Sequence, residues 1–262
     1  TAHGILALKE LSAKHDAKVT ARNNVTIGTL NVENGSATIK ATDGTLGITT
    51  LNAKGHADLT SGSDMTLEET HADSVLVNAG GKLVTKILGV TGKTDLTSCD
   101  SMELLDTNVG SITAKVGTAL RVTKLIANDK VDFTSAGDMK LHDVEAGSSI
   151  TANADGSILS DGANAQISAG DIQLTAGEKI CVTDRSPVDK LSGVDTSILP
   201  GITTGSGLVG SLVTGEAKPY DFNVHKKGHA QLLSTSGKVN LSAKTVEVDT
   251  LVNGSGTSAE LT

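Results

Sequence analysis

Aromatic side chains are nearly missing from this chain: Phe133, Tyr220 and Phe222 are the whole supply, 1% of 262 residues, and Trp is absent. A globular enzyme of this length draws much of its buried area from aromatic rings, so the core here has to be built from Val, Ile, Leu and Ala. Proline is as scarce. Its three copies, Pro187, Pro200 and Pro219, all follow Ser186, which frees the preceding stretch of the one residue that cannot donate to a strand ladder. Two cysteines exclude a disulfide-stapled scaffold. No apolar run approaches the ~18 residues of a membrane helix and no basic-then-apolar leader opens the chain, so membrane insertion is not expected. The start at Thr1 rather than Met is what an excerpt from a longer or processed polypeptide would show.

Clustered positive charge is lacking too. The formal charge is −8, and only Lys226 and Lys227 sit side by side, in a turn-like setting. A phosphate-tracking surface needs grouped Lys and Arg interleaved with stacking aromatics, so nucleic acid is excluded as a partner. Disorder is excluded as well: 37% of the residues are hydrophobic, mean hydropathy is −0.02, and the apolar residues are spread along the chain.

What is present is a repeat. "DLTSGSDMTLEE" begins at Asp58, "DLTSCDSMELLD" at Asp95 and "DFTSAGDMKLHD" at Asp132, so that Leu59, Leu96 and Phe133 correspond, as do Met65, Met102 and Met139, each step being 37 residues. A looser unit lies between them, as "VLVNAGGKLVTKI" from Val75 and "ITAKVGTALRVTKL" from Ile112, which halves the period. Inside each half, apolar residues alternate in bursts of three to five, as in Val25, Ile27, then Leu30, Val32, and the bursts are broken by Gly, Asn, Asp or Ser. Period two with tight turns is the pattern of short half-buried strands and not of helices. Such a unit cannot bury its apolar face alone, and stacking on the next unit completes the core.

The sequence therefore predicts an all-β fold, a parallel β-helix (β-solenoid) with coils of roughly 17–21 residues. Ten or eleven coils rising by ~4.8 Å each would give a rod on the order of 50 Å. The boundaries expected are coils over residues 1–182, an excursion from the solenoid over 183–228, and coils resumed over 229–262. All three prolines, the one Tyr and a Gly/Ser tract fall in the excursion, and a long segment without its own repeat is often functional. Tyr220, Phe222, Lys226 and Lys227 are the candidate ligand-contact residues there.

Catalytic and metal constellations are not found. His225 and His229 are four apart, but Gly228 lies between them and no helical periodicity surrounds them. Asp64, Asp100, Asp138 and Asp171 recur near one point of the coil, and turn residues rather than a calcium ladder are expected from them. Glu68 and Glu69 read as solvated. Cys99 takes the place of Gly62 and Ala136 in the aligned segments, a small-residue packing slot, and Cys181 lies too many coils away to bond with it. No catalytic residue, cofactor or metal is expected. A polysaccharide-acting β-helix enzyme is the rival class, and it would need converging carboxylates and aromatic sugar platforms.

"SAGDMKL" at Ser135, "SAGDIQLTAGEKI" at Ser168 and "STSGKVNLSAKTVEV" at Ser234 resemble the haemagglutinin repeats of filamentous haemagglutinin-type exoproteins, the large secreted adhesins of Gram-negative bacteria. The resemblance covers about residues 19–182 and 230–251. It implies a right-handed parallel β-helix, secretion to the cell surface or beyond through an outer-membrane transporter by two-partner secretion, and a shaft role in an adhesin facing a host cell-surface receptor or glycan. The same shaft serves as the delivery stick of contact-dependent growth-inhibition exoproteins. The chain departs from the family in lacking an Arg-Gly-Asp tripeptide and a toxin-like carboxyl end.

Overall fold

The computed structural model describes residues 2–162, 164–183, 231–235, 238–253 and 259–261. Every regular element among them is a β-strand, and every strand pairing is parallel. One column of paired residues runs Leu6, Val25, Leu46, Met65, Leu83, Met102, Leu120, Met139, Ile158 and Ile180, which makes nine turns of a solenoid. Val246 then stacks on Ile180, so strands that follow residues 184–230 are hydrogen-bonded neighbours of strands that precede them.

Each coil has three short faces. In Val25–Val32 the first face is Val25 to Ile27, a corner falls at Gly28, and the second face is Thr29 to Val32; Ala37–Ala41 forms the third. Cross-coil pairing skips the corner position in successive coils, at Gly28, Thr49, Glu68, Lys86 and Leu105. Side chains alternate in and out along each face, so Val25, Ile27, Leu30, Val32, Ala37, Ile39 and Ala41 all point inward and are buried. The outward partners are polar. Period-two patterning thus becomes a closed triangular core one side chain deep.

The repeat over every second coil has a packing cause. Between Met65 and Met139 shorter and longer coils alternate: those that end at Leu83 and Leu120 are a single residue shorter than those that end at Met102 and Met139. Only every second coil is therefore equivalent. One column alternates Met65, Leu83, Met102, Leu120, Met139, and another runs Leu59, Val77, Leu96, Ala114, Phe133, Ala152. Phe133 is fully buried and fits a narrow core because alanines lie directly below and above it. Large and small residues in alternate layers fill the interior without straining any one layer.

The recurring Ser of "DLTS", "DLTS" and "DFTS" has a separate reason. Ser61, Ser98 and Ser135 point inward at the end of the third face, where turn carbonyls come free. Ser61 Oγ donates to the Ser63 carbonyl at 2.8 Å, Ser98 Oγ lies within reach of the Gly81 and Ser101 carbonyls at 2.8 and 2.9 Å, and Ser135 Oγ donates to the Thr118 carbonyl at 2.9 Å. The intervening coils carry Ala79, Val116 and Ala154 at that position, with no hydroxyl to offer.

Candidate functional site

Chemistry-bearing side chains are distributed as ladders along the rod. On the first face, Glu103 lies between Lys82 (3.5 Å) and Arg121 (3.1 Å), and Arg121 Nε reaches Asp161 at 2.6 Å. The Asp161 and Glu103 carboxylates raise the Arg121 pKa above its ordinary value, which keeps the guanidinium charged. At the corner, Glu68 pairs with Lys86 of the next coil at 2.7 Å, whereas its neighbour Glu69 bonds His71 at 3.0 Å on another face. The Glu68–Glu69 dipeptide is therefore two separate pairs. Glu68–Lys86 and the Arg121 pairs clip coil to coil, whereas Glu69–His71 lies within one strand.

The aspartates act as coil-to-coil caps. Asp64 Oδ1 accepts the Lys82 backbone N–H at 2.8 Å, Asp138 Oδ1 accepts that of Ser157 at 2.8 Å and Asp171 Oδ1 that of Lys238 at 2.7 Å. Asp100 Oδ1 instead accepts the Thr118 hydroxyl at 2.9 Å. The expectation of one shared position needs correction: Asp100 is one residue out of step with Asp64 and Asp138, and Asp171 opens the third face at a different corner. Asp64 and Asp138 are four coils apart, about 19 Å at ~4.8 Å per coil, and each has an oxygen engaged by backbone. Among the described residues no three His, Cys, Asp or Glu are placed to hold a metal ion. His56 bonds Ser74 Oγ at 2.9 Å, and His142 lies 3.9 Å from Asp143.

Cys99 and Cys181 are both free, with four whole coils between them. Cys99 is exposed, which corrects its reading as a packing slot. Its position takes small residues because the corners of successive coils nearly touch: a Cβ on Gly117, one coil up, would collide with the Cys99 carbonyl oxygen. Cys181 Sγ lies 3.4 Å from Thr183 Oγ1 and 3.6 Å from Glu247, which also pairs with Lys179 at 2.9 Å.

The candidate contact residues Tyr220, Phe222, Lys226 and Lys227, and with them His225 and His229, lie outside the described residues. Among the described residues the structure instead shows a groove on the second face, about 1230 Å³, that runs along the stacking axis from Ser12 to Asn128. Its floor is one outward position read in successive coils: Asn31, Asn52, His71, Gly89 and Asn108. Asn52 Nδ2 donates to Asn31 Oδ1 at 2.9 Å. The His71 ring lies over Gly89, where an added Cβ would come 2.5 Å from His71 Nδ1. Ile87 stands beside it, 46% exposed. The sequence signal for this floor is the third place of "TLNV", "TLNA", "ETHA", "ILGV" and "DTNV", from Thr29, Thr50, Glu69, Ile87 and Asp106. It is invisible until strand register is known.

Comparison with family models, with curated proteins and with solved structures returned no match. The parallel solenoid stands on its own geometry. Among the described residues no helix is long and apolar enough to cross a membrane, a statement that does not extend to strands.

Proposed function

We propose that this chain is a non-enzymatic shaft segment of a large secreted or surface-exposed bacterial adhesin, a rigid spacer that carries binding elements away from the cell. The observation that carries the reading is the stack of nine turns around an apolar, largely aliphatic core, with every coil tied to the next by parallel strand pairing. A one-dimensional stack in which each layer contacts its neighbours resists bending because any bend must open core contacts and strand hydrogen bonds together. Resemblance to filamentous haemagglutinin-type repeats supports secretion through an outer-membrane transporter and a receptor or glycan on the host side. On this reading residues 183–228 supply the adhesive contact through Tyr220, Phe222, Lys226 and Lys227.

The test compares binding of the purified chain to host cells and a glycan array with that of a version whose residues 184–227 are replaced by a short Gly/Ser turn. Binding lost with the segment, in a protein that keeps its strand circular dichroism, makes the segment adhesive and the rod its mount. Equal binding by both versions overturns that assignment, and a flexible or globular scattering profile overturns the shaft.

A further inference from the structure

The groove on the second face has a composition that selects among polymers. Its charged lining residues are Glu33, Asp73 and Asp106 against Lys54 and Lys124, three carboxylates and two ammonium groups spread along its length. A polyanion such as nucleic acid or a sulfated glycan needs an unbroken cationic track, and here carboxylates interrupt the track. A polycation meets the lysines in the same way. An extended peptide takes most of its affinity from main-chain hydrogen bonds to a free strand edge. From Asn31 onward the second-face strands of the groove are paired on both sides by the coils above and below, and the one-sided strand Leu6–Ala13 puts its edge across the Ser12 end of the groove, not along it. A lipid or apolar helix needs a continuous apolar strip, and Ile87 is the one large hydrophobic exposed there among the described residues.

What the groove does offer is uncharged hydrogen-bonding groups in register. Asn31, Asn52 and Asn108 present amides, each with donors and an acceptor, and the His71 ring, held by Glu69 at 3.0 Å through Nε2, adds a flat face. Asn31 and Asn52 spend one donor and one acceptor on each other, and that bond holds both amides in fixed orientation at one end of the floor. In the middle Gly89 leaves room for the His71 ring to lie over it, flanked by the Ile87 side chain. These elements recur at the coil rise of ~4.8 Å, and the groove crosses about seven coils, or about 29 Å. A linear sugar polymer has a matching character: vicinal hydroxyls repeat at each unit for amides and carboxylates to bridge, and apolar C–H faces pack on an aliphatic side chain.

We infer that this groove is a binding site for a linear, uncharged polysaccharide laid along the solenoid axis, with Asn52 and Asn108 as polar contacts and Ile87 with the face of the His71 ring, which lies over Gly89, as the seat. The site is distinct from residues 183–228 and independent of the adhesin reading, because a rod that binds no sugar here is still a rod. Without aromatic platforms the affinity is weak per sugar and grows with chain length.

The experiment is native affinity electrophoresis of the full chain in gels that contain soluble glucans, mannans, galactans or xylans, with heparin as the polyanion control. At least one neutral polymer is expected to retard the chain, with its longer oligosaccharides competing better than its dimer. Gly89→Leu, which raises the floor into His71, and Asn108→Ala, which removes only an exposed amide, are each expected to weaken retardation about tenfold, while Thr134→Ala on the third face leaves it unchanged. Melting curves show whether Gly89→Leu remains folded, and Asn108→Ala carries the test if it does not. Retardation by no neutral polymer, by heparin alone, or equally in wild type and Asn108→Ala overturns the assignment.

Discussion

The middle of the rod and its later layers follow different rules. From Met65 to Met139 the coils alternate in length by a single residue, and strands such as Met102–Val116 run through two corners without a break. After Ile158 the coil lengthens: the step from Ile158 to Ile180 is longer than any step of that column between Met65 and Met139. Strands shrink there, as in Ile158–Ser160 and Gln166–Ala169. The extra length is taken up at one corner, where Gly162 (φ 97°) and Asn164 (φ 62°) adopt left-handed backbone that only Gly and a few short polar residues tolerate. Ladder regularity is thus a property of constant corner length, and a single enlarged corner splits a strand that elsewhere bends through it, as Val25–Val32 does at Gly28, into two separate faces.

The largest expected effect separates the two regions by their neighbours. Phe133→Ala leaves a void between Ala114 and Ala152, side chains too small to collapse into it, and should cost about 3–5 kcal/mol. In urea unfolding that loss should appear as a lower midpoint for the whole stack. Leu232→Ala, in the layer above Ile167, should instead release the later strands first and leave the nine-turn stack folded. Hydrogen exchange resolved by region reads the difference, and equal loss of protection in both regions for both variants would break the comparison.

That contrast is partly legible in the sequence. The regular step between repeats, the columns of Leu59, Leu96 and Phe133 and of Met65, Met102 and Met139, and the all-β solenoid follow from period-two bursts and internal repetition, because inward side chains must be apolar in every coil. The corners are less legible. Asp100 and Asp171 look equivalent to Asp64 because turn residues share a chemistry, whereas corner position depends on coil lengths that change from layer to layer and so slip the turn residues out of line. The groove floor is not legible at all, since its members are outward residues of unlike type that register alone aligns.

A smaller effect tests the corner serines. Ser98→Ala would make that corner resemble Ala154, its counterpart nearer the later layers, and would leave the Gly81 and Ser101 carbonyls without the hydroxyl. A loss of about 0.5–1.5 kcal/mol is expected from urea melts. Ala154→Ser should not return an equal gain, because that corner already closes without a hydroxyl. Opposite in sign is Thr107→Val. Thr70 and Thr107 are fully buried with hydroxyls that meet no partner, and the next member of their series in the same column, two coils on, is Val144. Removing an unsatisfied buried hydroxyl at constant shape should stabilise by about 1 kcal/mol, read as a raised midpoint.

The smallest effect uses pH to tell the two regions' ion pairs apart. Lys179 joins the later layers through Glu247, and that hydrogen bond, opposed in part by desolvation, raises its pKa above the ordinary 10.5. A pKa raised on folding contributes stability that is complete below the unfolded value and is lost as pH climbs through the folded one. Lys179→Met should therefore lower the unfolding midpoint of the later layers near pH ~9, and the difference from wild type should fade as pH rises beyond 10.5. Arg121 in the central ladder is also raised, by Asp161 and then Glu103, above a value that already lies beyond this range, so the midpoint difference between wild type and Arg121→Met should stay constant over it. Because both pairs are substantially exposed, each difference should be small and should shrink with salt. A Lys179→Met difference that persisted undiminished to high pH would mean that the lysine acts through its aliphatic stem, packed along the strand, and not through its charge.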